Sequence, residues 1–158
     1  MQKLHLTVAA IIEQRDRFLV VEETVQGKRV INQPAGHVEA AETLRDAVIR
    51  ETREETAWTF SPAAISGVYL WQHPSSGERF LRVVFCGTCC QHNPDQTLDD
   101  GILRTLWLTR TELEQRQDML RSPMVLRAIE DYQGKLRLPV NLFQQIDLDE
   151  LMAQAAVI

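Results

Sequence analysis

Three glutamates of this 158-residue sequence fall on one stripe of a single segment, Gly36–Trp58, which reads GHVEAAETLRDAVIRETREETAW. From Thr43 to Ala57 it holds no Gly or Pro and is rich in Ala, Leu, Arg and Glu, a composition that predicts a helix. With Glu51 at the origin of a helical wheel, Leu44 lies at about +20°, Ala47 at about −40° and Val48 at about +60°. Glu54 follows at about −60°, Glu55 at about +40° and Trp58 at about −20°. One stripe therefore begins apolar, becomes three carboxylates and ends in an indole. An ordinary surface helix keeps its acids off the apolar stripe. Two carboxylates about 5 Å apart repel by about 3 kcal/mol at an effective dielectric of about 20, so three sheltered ones require counter-charge. Arg50 and Arg53 supply some. A hard divalent cation such as Mg²⁺, which prefers oxygen ligands and shares them with phosphate, would supply more. The alternative is a solvated acidic helix end laced by i,i+4 ion pairs.

A second cluster, Cys86, Cys89, Cys90 and His92, has the ligand types of a zinc site. It lies in a strand-like run, RFLRVVFCGTCCQ, where alternation sends Cys86, Cys90 and His92 to one face and Cys89 to the other. The expectation is buried structural cysteines without a catalytic or zinc role. Three cysteines in one short run do not make a disulfide framework and suit a reduced, cytoplasmic protein.

The elements that must position the acidic stripe are legible in outline. Leu4–Ile12 alternates and Arg17–Glu22 follows a polar turn, predicting a hairpin. Lys28–Asn32 reads as a short strand, and Pro34, Ala35 and Gly36 as a break in regular structure. Beyond the helix, Ser61–Pro62 reads as a stop. Strands are expected over Ile65–His73, Arg79–Gln91 and Ile102–Leu108, with a polar loop over His92–Asp100. Thr109 and Glu112 have capping-box spacing for a helix to about Arg116. Ser122–Pro123 opens another that reaches Gln133 and stops at Gly134. This order predicts an α/β fold, a mixed sheet covered by helices on both faces.

The length suits one domain over 1–158, with 144–158 as a tail that reads as a docking helix, a dimer contact or an unordered end. The chain is thus expected as a monomer or homodimer. With 17 basic and 22 acidic side chains the formal charge is −5, and the pI of about 5.4 argues against a nucleic-acid partner. The longest stretch free of Asp, Glu, Lys and Arg, Thr56–Gly77, carries Pro62, Gly67 and Pro74 and makes a poor membrane span.

The spacing Gly36, five residues, Glu42, seven residues, Arg50-Glu51, two residues, Glu54-Glu55 resembles the Nudix box, Gly-x5-Glu-x7-Arg-Glu-U-x-Glu-Glu-x-Gly-U, where U is bulky and aliphatic. All six glycine and charged positions through Glu55 are present in register. Thr52 and Trp58 replace U residues and Ala57 replaces the final Gly, a change that strains the chain if the helix ends there with positive φ. The stretches His5–Ala9, Phe18–Thr24, Asn32–Leu44, Phe80–Phe85 and Leu120–Val125 resemble the NudJ subgroup of that family, and Tyr132–Pro139 does so more loosely.

The resemblance implies a Nudix-type α/β/α sandwich and a hydrolase of phosphoanhydride bonds. The implied cofactor is Mg²⁺, with Mn²⁺ as a substitute, and the implied partner is a small phosphorylated substrate such as a nucleotide. It implies Glu51, Glu54 and Glu55 as metal carboxylates, the Gly36 carbonyl as a further ligand, and Glu42–Arg50 as the pair that orients loop and helix. Asp99 or Asp100 would bring an extra carboxylate from the loop. The subgroup resemblance points to nucleoside tri- and diphosphates or thiamin pyrimidine pyrophosphate, with release of phosphate. Other family members release pyrophosphate, cleave linked diphosphates, or sense nucleotides without hydrolysis. For the substrate, Arg29, Arg79 and Arg82 are strand residues suited to phosphate, and Trp71 or Phe80 to stacking on a base. Met119–Leu126 lies where the subgroup fold would cover the site.

Overall fold

A computed structural model describes residues 3–146; the expected C-terminal tail falls, from residue 147 onward, outside the described residues. The elements run β1 (Leu4–Gln14), β2 (Arg17–Val25), β3 (Lys28–Asn32), β4 (Ala35–His37), α1 (Leu44–Thr56), β5 (Thr59–Gln72), β6 (Arg79–Cys90), β7 (Ile102–Leu108), α2 (Arg110–Glu114), a 3₁₀ turn (Gln117–Met119), α3 (Met124–Gln133) and β8 (Leu138–Pro139). The strands follow the path β3-β2-β1-β6-β5-β8, with β4 also paired to β1 and β7 to β2. β1 runs parallel to β6 from Leu4–Arg79 to Ile12–Gly87, and every other pairing is antiparallel.

Because β1 lies between layers, it is buried on both faces, and its period-two pattern sorts the core. Val8, Ala10 and Ile12 pack with Leu19, Val83 and Phe85 against Ala47 and Val48 of α1. Ala9 and Ile11 pack with Phe18, Val20 and Val84 against Leu113 of α2 and Ala128 and Ile129 of α3. This is the mixed sheet with helices on both faces that the pattern predicts. No helix among the described residues is long and apolar enough to cross a membrane.

Two elements depart from the sequence pattern. The expected break at Pro34–Gly36 overlaps β4, whose three residues pair with Thr7, Val8 and Ala9 of β1. β5 begins at Thr59 and runs through Pro62, where a register shift between Pro62 and Ala64 accommodates a residue without an N–H.

Helix α1 ends on Ala57 in the left-handed region, at φ 59° and ψ 13°, and the Ala57 N–H bonds to the Arg53 carbonyl. Alanine costs about 1–2 kcal/mol there. Glycine would relieve this, but would forfeit about 0.8 kcal/mol for a buried methyl and about 0.4–1 kcal/mol of unfolded-state entropy; Ala57 is itself buried. Ala57→Gly is therefore expected to move stability by less than about 1 kcal/mol. Ala57→Val, which places a β-branched residue at positive φ, should cost about 2 kcal/mol or more. Urea melts check both, and a neutral valine would show that the left-handed cap is absent in solution.

Candidate active site

Thr43 caps α1, its side chain accepting from Asp46 N at 3.0 Å, and the helix buries Ala47, Val48, Glu51, Thr52, Glu55 and Thr56. The stripe thus continues from apolar residues into carboxylates, as the wheel has it. What these acids face is β4. Ala35 N donates to Glu55 Oε2 at 3.0 Å. His37 O accepts from Arg50 Nη2 at 3.0 Å. Between them, a Cβ on Gly36 would fall on the Glu51 carboxylate. A side chain at position 36 would have to displace the Glu51 carboxylate, so glycine is favoured there by close approach, not by backbone angle.

Arg50 gathers the other acids. Its Nε and Nη2 bind the two Glu42 oxygens at 3.0 and 2.6 Å, and its Nη1 reaches Glu51 at 2.8 Å and Glu54 at 3.1 Å. Glu42 also accepts from Glu39 N, closing the loop before the helix. The guanidinium beside it holds Glu42 below the usual carboxylate range. Burial raises Glu51 above that range against the pull of Arg50. Burial likewise pushes Glu55 up to about 9, opposed by the Ala35 N–H and reinforced by Glu23, Glu51 and Asp99.

The last turn of a helix leaves carbonyls without intrahelical partners. Here the loop after β6 supplies donors: Asn93 N binds Ala57 O, Asp99 N binds Glu54 O at 3.0 Å, and Gln96 Nε2 gives Arg53 O a second donor beside Ala57 N. This capping delivers Asp99 to the acids. Glu51, Glu54 and Asp99 each offer an oxygen, and the three oxygens lie within 4.8 Å of one another. An all-oxygen donor set of concentrated negative charge fits a hard divalent cation. Glu55 sits beside this group, turned to Ala35 N. Asp100 is exposed and is not one of the converging three. Of the three cysteines expected to be buried only Cys86 is; Cys89 is half-buried, and Cys90, the last residue of β6, is exposed because the strand has run past the core there.

β4 also walls a cavity of about 520 Å³, whose lining includes Ala35, Gly36 and His37. Trp71, Phe80 and Arg82 line it too, as the sequence suggested for a substrate-contacting surface. Trp71 and Phe80 have ring centroids 5.8 Å apart, and Phe80 stacks on His5 at 4.7 Å. His5 bridges His37, at 3.0 Å, and Glu78, at 3.3 Å. Arg29 and Arg79 do not line the cavity. Arg29 pairs with the buried Glu22 at 3.1 Å, as does Arg104 from β7. Alternation explains both: Lys28 and Val30 line the cavity on either side of Arg29, as Phe80 and Arg82 do one and three residues after Arg79. Lys28, His37, His73 and Arg121 line it without having been marked by the sequence. For Lys28 the period-two rule applied to Arg29 would have served; the others come from a loop and segments remote in sequence.

Comparisons with known proteins agree with this geometry. The NUDIX domain model matches residues 3–128. Phosphatase NudJ of Escherichia coli strain K12 is 40% identical over 142 residues, which is 90% of this chain and 92% of that protein. Phosphatase NudJ of Shigella flexneri matches to the same extent. A solved NUDIX hydrolase from Nitrosomonas europaea superposes with a TM-score of 0.89 at 41% identity, over 92% of this chain and 99% of that one. A MutT NUDIX hydrolase from Burkholderia pseudomallei, 20% identical, shares the fold with a TM-score of 0.70. With Glu51, Glu54 and Glu55 of the box gathered on one helix and a phosphatase similar along nine-tenths of its length, this chain belongs to the Nudix family and is a hydrolase acting on pyrophosphate bonds.

Proposed function

We propose that this hydrolase cleaves phosphoanhydride bonds in nucleoside tri- and diphosphates, or in thiamin pyrimidine pyrophosphate, and releases phosphate with Mg²⁺ bound. The observation that carries the reading is the convergence of Glu51, Glu54 and Asp99 within 4.8 Å, with β4 shared between their surroundings and a cavity that presents aromatic rings and cations together. Similarity to proteins named phosphatase NudJ supports the release of phosphate. Glu51, Glu54 and Asp99 would hold the metal, with Glu55 and the Gly36 carbonyl completing its surroundings. A bound divalent ion at such a site neutralises phosphate charge and lowers the pKa of water.

The remaining roles belong to the chain's own groups. Arg50 fixes Glu51 and Glu54 through shared hydrogen bonds, so that neither carboxylate swings away. Trp71 and Phe80 offer faces for a base or pyrimidine ring. Lys28, Arg82 and Arg121 oppose the charge of the phosphate chain. The carboxylate that receives the water proton is one of Glu51, Glu54, Glu55 or Asp99. The chain acts as a single domain in the cytoplasm, on small substrates.

The test is to incubate the protein with ATP, ADP and thiamin pyrimidine pyrophosphate, with and without Mg²⁺, in ¹⁸O-labelled water. Orthophosphate is the expected product, carrying the label where water attacks the terminal phosphorus and leaving it in the nucleotide where water attacks elsewhere; pyrophosphate from ATP in its place would replace this reading with pyrophosphate release. A sensing domain that does not hydrolyse would yield neither.

Mg²⁺ is also expected to raise the melting temperature more than NaCl of equal ionic strength, because ligand that binds only the folded state adds RT ln(1 + [L]/Kd) to stability. At a hundred times Kd this is about 2.7 kcal/mol. Superimposable melts in MgCl₂ and NaCl would favour the solvated acidic helix.

A further inference from the structure

The segment Leu120–Val125 resembles the subgroup, yet it contributes nothing to the acidic cluster. It is clamped to the fold: Arg121 N binds Ile31 O at 2.8 Å, and Leu120 bridges Ile31 of β3. The clamp brings Arg121, Ser122 and Met124, at the start of α3, into the cavity wall with Arg82. α3 has ten residues and no acid in its first turn; its first donors, Met124 N and Val125 N, both bond to Ser122, so what it offers an anion is the field of its dipole. Ser122 Oγ caps Met124 N at 3.3 Å.

The independent observation is Arg82. It is 6% exposed and lies opposite Thr7 in the β1–β6 ladder. Its Nη1 donates to Asn32 Oδ1 at 3.3 Å, and its buried Nε has no partner among the described residues. Nor does any carboxylate among the described residues stand at ion-pair distance from it. Burial and the neighbouring Arg121 lower its pKa to about 10, while Glu23 and Glu55 act the other way, so it remains charged at neutral pH. Glu23 offsets Arg121 only loosely, at 3.7 Å. A buried guanidinium left short of acceptors is costly. A phosphate dianion supplies several acceptor oxygens and suits both a planar fork and a helix N-terminus.

We infer that Arg82, Arg121 and the N-terminus of α3 form an anion subsite that receives the free terminal phosphate of the substrate. The inference rests on reading the cavity as the substrate cavity. It gives the enzyme a reason to prefer open-ended phosphate chains over diphosphates esterified at both ends, since an esterified phosphate has lost one charge and one free oxygen.

The experiment has two arms. In chelator-treated protein at constant ionic strength, inorganic phosphate binding is followed by calorimetry. Without a cation the carboxylates repel phosphate, so binding reports the arginine subsite. Wild-type protein should bind, Arg121→Gln should weaken binding at least tenfold, and Arg79→Gln, on the other face of β6, should change it less than twofold. Arg82→Gln should match Arg121→Gln if circular dichroism shows it folded; Arg121, with its side chain 39% exposed, is the safer substitution. In the second arm, Arg121→Gln should lower kcat/KM at least thirtyfold for a nucleoside diphosphate and under threefold for a sugar-capped one. Absence of phosphate binding by wild-type protein, unchanged binding in Arg121→Gln, or equal losses on both substrates would overturn the subsite. Failure to hydrolyse any anhydride would instead overturn the proposed function, while arginine-dependent phosphate binding would still sustain the subsite.

Discussion

Glu54→Gln and Glu55→Gln are each expected to lower turnover by at least about 100-fold with the fold intact, on the scale of losing a charged group from a preorganised electrostatic site. The two should differ in how they fail. Glu54 is one of the three converging carboxylates, so its amide removes both a charge and a ligand. Rising Mg²⁺ should recover part of its activity. Glu55 is buried against Ala35 N, and burial pushes its pKa up to about 9. Glutamine resembles the protonated form that this environment favours, so the metal-free variant should melt no lower than wild type. Its loss of activity should resist added Mg²⁺. Glu39→Gln, exposed in the loop before α1, is the control and should change turnover less than about threefold on the scale of an exposed ion pair. Steady-state kinetics over a Mg²⁺ titration checks all three, and wild-type turnover by Glu54→Gln at saturating Mg²⁺ would remove these carboxylates from the metal site.

Arg50→Met should cost about 2–3 kcal/mol of stability, near the lower end of what breaking a buried ion pair costs. Arg50 is mostly buried, with its side chain 23% exposed. Methionine fills the space of the stem but leaves Glu42 and Glu51, with side chains 16% and 12% exposed, without a counter-charge, Glu42 keeping only the Glu39 N–H. Arg50→Lys should recover little, because one ammonium does not reproduce the fork that spans Glu42, Glu51, Glu54 and the His37 carbonyl. Arg50→Met should also tighten Mg²⁺ binding, since it removes a competing cation from Glu51 and Glu54, while turnover falls for want of orientation. Calorimetric Mg²⁺ titrations beside urea melts test this pairing of effects. Weaker Mg²⁺ binding in Arg50→Met would show that Arg50 organises the ligands more than it competes for them.

The stripe on α1 was legible because it is local: seven residues fix which side chains share a face, and Glu51 and Glu55 are buried where the wheel placed them. The capping box at Thr109 and Glu112 is present for the same reason. β4 was not legible, since three residues leave no period to read and its pairing is set by β1, more than twenty residues upstream. The choice between Asp99 and Asp100 depended on hydrogen bonds from the loop to the end of α1, which neighbouring aspartates do not encode. Arg29 and Arg82 looked alike as strand arginines. Only the register of their strands turns Arg82 inward and leaves Arg29 on Glu22.

β4 serves the acidic site mainly through its backbone: an N–H from Ala35, a carbonyl from His37, and at Gly36 the absence of a side chain. The side chains of Ala35 and His37 are not used by α1 in these contacts, and both residues border the cavity. Divergence can therefore retune what the cavity accepts by changing those two residues, and the carboxylates would register little of it. Drift at position 36 has no such freedom. The strand separates an inheritance that must be kept from one that is open to revision, within three consecutive residues.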